Sequence, residues 1–132
     1  MGYNQTKGTF QLFPYSSQLL TTLYENCFDS IIITDLAGNI TYANEAFKLL
    51  TGYTREEVIG KSPRILQGSA TDKATLDRLS TAMKSGNIFE GKAINYKKDG
   101  TAFIMHWKVM PLKSDNQEIM SWVAIQREGH SI

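Results

Sequence analysis

A single cysteine, Cys27, stands among 132 residues. No disulfide can close within the chain, and such sparse cysteine fits a reducing compartment. An excess of charge is missing too, since 14 Lys and Arg meet 13 Asp and Glu for a formal net of +1. That balance gives no electrostatic case for nucleic acid or an anionic membrane surface. The apolar runs are too short to cross a bilayer, and residues 1–13 lack the pattern of a signal peptide. Of the two histidines, His106 faces outward on its expected strand and His130 lies in the tail, which makes no metal site. There is no nucleophile–base arrangement and no phosphate loop, so an enzyme is not expected. There is also no internal repeat. What remains is one domain with a real core, read as a soluble cytoplasmic unit that fits as a piece of something longer.

Residues 1–15 show no period and read as a flexible leader. Ser16 or Ser17 can cap a helix reaching about Cys27, with Leu20, Leu23 and Cys27 as its apolar stripe, within an N-terminal flanking segment of residues 16–29. On that stripe Cys27 reads as a packed core thiol. Ile31, Ile32 and Ile33 predict a buried strand, and a turn containing Gly38 leads to a second strand over residues 40–43. Asn44 can cap a short helix carrying Phe47, Leu49 and Leu50. Thr54 with Glu57 forms a capping-box signature for another, ended by Gly60. Thr71 or Asp72 caps a longer helix with Leu76, Leu79 and Met83, closed by Gly86. Three strands follow, over about 89–97, 101–112 and 119–127, the first two joined through Asp99-Gly100. The natural solution is α+β: a five-stranded antiparallel sheet with short helices over one face.

Alternation assigns the faces. Phe103, Met105, Trp107 and Val109 point inward, as do Trp122, Ala124 and Gln126. Gly91, Ala93 and Asn95 are taken as inward, although hydrophobicity alone would turn Ile94 and Tyr96 that way. Small residues then leave a gap in mid-sheet, with two amides looking into it. A buried carboxamide without partners costs roughly 1–3 kcal/mol. Asn95 and Gln126 suit a heterocycle edge with alternating donors and acceptors; the plain alternative is that they bond each other, backbone or water. Arg64 and Gln67, three apart in a short helical turn beside Ile65 and Leu66, add a cation and an amide on one face.

These residues resemble a PAS domain from about Ile31 to Gln126, and within that superfamily the LOV photosensory branch. The resemblance runs through Tyr53-Thr54-Arg55-Glu56-Glu57-Val58-Ile59-Gly60, Arg64-Ile65-Leu66-Gln67-Gly68 and Thr71-Asp72-Lys73-Ala74-Thr75. It continues through Ile94-Asn95-Tyr96-Lys97-Lys98-Asp99-Gly100 and Val123-Ala124-Ile125-Gln126. It implies a PAS fold over residues 30–128 and a flavin, FMN or FAD, between the helices and the inner sheet face. Gln67 and Asn95 match residues on the pyrimidine side of the ring, Gln126 the glutamine near N5 that switches its hydrogen bonding, and Arg64 an arginine on the ribityl phosphate. Met105, Trp107, Ile32 and Leu66 complete the expected cofactor-binding set.

The departures carry chemistry as well. Pro63 stands where the LOV motif has the cysteine whose thiol forms the photochemical adduct, and proline offers no nucleophile. Met105 replaces a second ring-binding asparagine, and Ser80 a second phosphate-binding arginine. Haem-binding PAS domains use a histidine from the long helix, and residues 71–85 contain none. The expectation is a cysteine-less sensor responding to blue light or redox state, relaying through Gln126 to the terminal helices, residues 129–132 being a tail toward an output element. A homodimer through the sheet or the N-terminal helix is expected, with outward Ile94, Ile104, Val123 and Ile125 either as its apolar surface or as the surface on which the leading helix packs back against its own sheet. The competing expectations are a ligand-free PAS interaction module and a small-metabolite sensor.

Overall fold

The computed structural model describes residues 16–132, with the backbone of two short strands before them, β1 (Gln5–Thr6) and β2 (Thr9–Phe10), paired antiparallel. The rest of the expected leader lies outside the described residues. Helix α1 (Ser16–Asn26) follows, and then the sheet begins.

The isoleucine run forms β3 (Ser30–Thr34), yet only alternate members are buried. Ser30, Ile32 and Thr34 face the core, while Ile31 and Ile33 are half-buried on the other side. The pleat makes a three-isoleucine run two-faced rather than wholly internal. Strand β4 (Ile40–Ala43) pairs with β3 across a bulge at Ile33–Thr34. Asn44 then accepts from the Phe47 amide and caps α2 (Glu45–Thr51), which Gly52 ends in a left-handed conformation. Thr54 and Glu57 form the reciprocal capping box of α3 (Arg55–Val58). A 3-10 turn (Pro63–Leu66), capped by Ser62, leads through a loop to α4 (Lys73–Lys84), which Asp72 caps.

The remaining chain is a meander of β5 (Phe89–Tyr96), β6 (Ala102–Lys113) and β7 (Ile119–Glu128). The sheet order is β4-β3-β7-β6-β5, wholly antiparallel, so the first and last core strands meet at its centre. Phe103, Met105, Trp107, Val109, Trp122, Ala124, Ala93 and Asn95 are all buried on the helix-covered face. The sheet's other face carries Ile94, Ile104, Val123 and Ile125, each half-buried.

Helix α1 departs from expectation. None of its residues is buried; Leu20 is 63% and Leu23 58% exposed, and Cys27 is half-buried rather than packed in the core. The apolar stripe exists, but no element among the described residues covers it. Polar ties hold the helix instead. Asn44 Nδ2 donates to the Tyr24 and Asp29 carbonyls at 2.9 and 3.1 Å, and Arg55 pairs with Glu25. Tyr24 packs edge-on against Tyr42, with ring centroids 5.8 Å apart, and burial pushes its phenol pKa up to about 12. No helix of the described residues is long and apolar enough to cross a membrane.

Candidate functional site

The inner face is not filled everywhere. A cavity of about 830 Å³ lies between α4, the 3-10 turn and strands β3, β6 and β7, within the range of small-molecule and cofactor sites. Its sheet wall is Ile32, Trp107, Val109, Trp122 and Ala124. Register explains the hollow: Ala124 is flanked by Ile32 on β3 and Val109 on β6, so its missing bulk is not made up by either neighbour.

Polar groups meet this apolar body at both ends. Gln126, 3% exposed, lies beside Trp107 on the neighbouring strand, and its Oε1 accepts from the Ser30 hydroxyl at 2.9 Å. Four residues along β3, Thr34 pairs with Trp122 and also lines the cavity. The Thr34 hydroxyl is buried and has no hydrogen-bond partner among the described residues. Pro63, Arg64 and Gln67 line the opening from the 3-10 turn. Across from them α4 presents Lys73, Asp77, Ser80 and Lys84, spaced along one helical face. Lys73 and Asp77 pair at 3.0 Å. Three cations against one carboxylate leave this rim positive.

Of the residues expected from sequence, Arg64, Gln67, Gln126, Trp107 and Ile32 come together around the cavity. Asn95, Met105 and Leu66 do not line it. Asn95 is 5% exposed. With its amide turned, the nitrogen donates to the Leu66 and Ile94 carbonyls at 3.1 and 3.3 Å; turned the other way it meets only the Met105 sulfur, at 3.3 Å. The first orientation is the better satisfied. Asn95 therefore pins the 3-10 turn to β5 instead of facing an empty hole, and Leu66 and Met105 pack around that tie. Asn95 thus has backbone partners within the chain, and Gln126 has the Ser30 hydroxyl.

Sequence reasoning missed Ser30, Thr34, Lys73 and Lys84. The signal was present in part: the period of two in Ser-Ile-Ile-Ile-Thr sets both hydroxyls on the face of Ile32. Lys73 and Lys84 sit eleven apart, three turns along the α4 face that Leu76 and Met83 also share.

Comparison with known proteins agrees with this architecture. The PAS domain family model matches residues 29–128. Phototropin-2 of Oryza sativa subsp. japonica is 34% identical over 118 residues, covering 87% of this chain and 13% of that protein. A blue-light-activated histidine kinase of Brucella anthropi is 39% identical over 87 residues, covering 66% of this chain and 18% of the kinase. The chain thus spans less than a fifth of these curated relatives. Among solved structures, the LOV domain of an Erythrobacter litoralis blue-light activated histidine kinase superposes with a TM-score of 0.72 at 33% identity, covering 76% of this chain and 94% of that one. This chain belongs to the PAS domain family, as a LOV-like sensory domain.

Proposed function

We propose that this domain binds a flavin noncovalently in the cavity and responds to blue light or redox state without a cysteinyl adduct. One observation carries the reading: an apolar slot walled by Ile32, Trp107 and Ala124 ends at a buried carboxamide already held on one side by Ser30. The donor set fits the group. A flat apolar body is matched by the sheet wall, a polar ring edge by Gln126 and Gln67, and an anionic tail by Arg64 with Lys73 and Lys84 on the rim. The unpartnered Thr34 hydroxyl adds a polar group at the far end of the slot.

A bound flavin supplies a ring that absorbs blue light and exchanges electrons and a proton at N5. The chain's residues do the rest. Trp107 and Ile32 exclude water, Arg64 holds the phosphate, and Gln67 orients the ring edge. Gln126 exchanges donor for acceptor by turning its carboxamide. Asn95, Met105 and Leu66 support the site from behind, through the 3-10 turn. The rim cations suit the phosphate of FMN or FAD alike. Output runs along β7 toward α1 and an effector outside this chain. A second copy seated on the sheet's outer face or on α1 completes the signalling unit.

Purified protein mixed with FMN and with FAD, then denatured for identification of the released ligand, tests the reading. Yellow protein absorbing near 450 nm is expected. Colourless protein that ignores both flavins makes this a ligand-free interaction module. Release of a small carboxylate makes it a metabolite sensor with Arg64 as the anion partner.

A further inference from the structure

Ser30 and Gln126 face each other across the β3–β7 ladder at 2% and 3% exposure, with Ser30 Oγ 2.9 Å from Gln126 Oε1. An amide oxygen only accepts, so the serine hydroxyl donates. The nitrogen arm of the carboxamide is then left for the cavity that Gln126 lines, and this state offers a donor to a ligand. Turned by half a revolution, the same carboxamide offers its oxygen to the cavity and its N–H to Ser30. The serine oxygen can accept as readily as its proton was given. Alanine at this place would satisfy neither orientation, and valine would crowd both.

The residue before β3 and the residue after Gln126 continue the connection outward. Arg127 Nη2 and Asp29 Oδ2 pair at 2.5 Å, and the Asp29 carbonyl accepts from Asn44, which also holds the Tyr24 carbonyl in α1. The end of the β3–β7 ladder thus has the cavity amide at Ser30–Gln126 and, just past it, a side-chain ion pair beside the helix anchor.

We propose that Ser30 is the positioning residue of Gln126. Its hydroxyl pairs with the carboxamide in either orientation, so the donor or acceptor character of the ligand edge alone decides which way Gln126 faces. A protein that biased one orientation strongly would need a matching differential in ligand affinity to reverse it. Ser30 removes that bias, and the choice passes from the end of the ladder to the adjoining Asp29–Arg127 pair and α1. This rests on the flavin reading above.

The test compares flavin-loaded wild type with Ser30→Ala, Ser30→Cys, Gln126→Leu and the Ser30→Ala/Gln126→Leu double variant. The readouts are the visible absorption maximum, the flavin carbonyl stretching frequency and the dissociation constant. Ser30→Ala is expected to shift both spectra in the direction of Gln126→Leu and by less, and to weaken binding about three- to tenfold. Ser30→Cys, of similar shape but a weak donor, falls between. In the Gln126→Leu background, Ser30→Ala adds nothing, because two residues acting through one bond are not additive. Ser30→Ala also narrows the difference in amide exchange between dark and illuminated protein over residues 24–29. An unshifted Ser30→Ala spectrum, or full additivity in the double variant, overturns the role of Ser30 while leaving flavin binding intact. Wild type that takes up no flavin overturns both readings together.

Discussion

Arg55 Nη2 lies 2.9 and 3.0 Å from the two carboxylate oxygens of Glu25, fastening α1 to the start of α3. The same guanidinium donates through Nε to the Ala43 carbonyl at 2.7 Å, so it is held at its root by the sheet. Both partners are more than a third exposed, at 42% and 36%. Pairs of that kind contribute about 0–1 kcal/mol. With no side chain of α1 buried, the helix is the first segment expected to detach.

Glu25→Ala is therefore expected to raise the opening of α1 up to about fivefold in native-state hydrogen exchange, leaving the sheet amides protected. Equal loss of protection in β3, β6 and β7 would show that α1 belongs to the core after all.

A Cβ on Gly68 would lie 2.2 Å from the ring of Tyr96, whose hydroxyl accepts from the Ala70 amide at 3.0 Å. The ring cannot move aside without giving up that bond. Gly68→Ala should cost about 1–3 kcal/mol in urea unfolding. Adding Tyr96→Leu should return part of it; a Gly68→Ala protein as stable as wild type would mean that the ring swings away freely.

Pro63 lines the cavity one residue before Arg64. Pro63→Cys places a thiol there, and illumination of the flavin-loaded variant should bleach the absorption near 450 nm, which wild type keeps. An unbleached variant would place the ring away from the 3-10 turn.

Glu57 accepts from the Lys98 ammonium and from the Thr54 amide, and these two, Lys98 first, hold its carboxyl down to about 2. A folded value below the unfolded one of about 4.3 stabilises the protein at all pH above the unfolded value. That contribution disappears as pH falls from about 4.3 toward 2. An NMR titration of the Glu57 carboxyl carbon should show the depressed midpoint, and Lys98→Ala should move it upward. A midpoint unmoved by Lys98→Ala would assign the depression to the capping box alone.

The local signals in the sequence survive folding because short-range geometry decides them. Thr54 and Glu57 form their box within one turn, Asn44 and Asp72 cap from three residues away, and the alternation of β6 fixes which way Trp107 points. What sequence left hidden depends on partners far along the chain. Whether Leu20 and Leu23 are covered depends on a surface that only the assembled fold supplies, and the described residues supply none. Asn95 is satisfied by the carbonyl of Leu66, a group every residue has and no side-chain pattern marks. The Ser30–Gln126 bond spans 96 positions, and it emerges only once β3 is known to lie beside β7.

That neighbourhood of β3 and β7 has a consequence for how the fold travels. Ser30 and Gln126 stand opposite each other in the ladder, so the polypeptide enters and leaves the domain within about 5–6 Å of one doorway. A host protein can accept such a unit in a surface loop with little stretching of its own backbone.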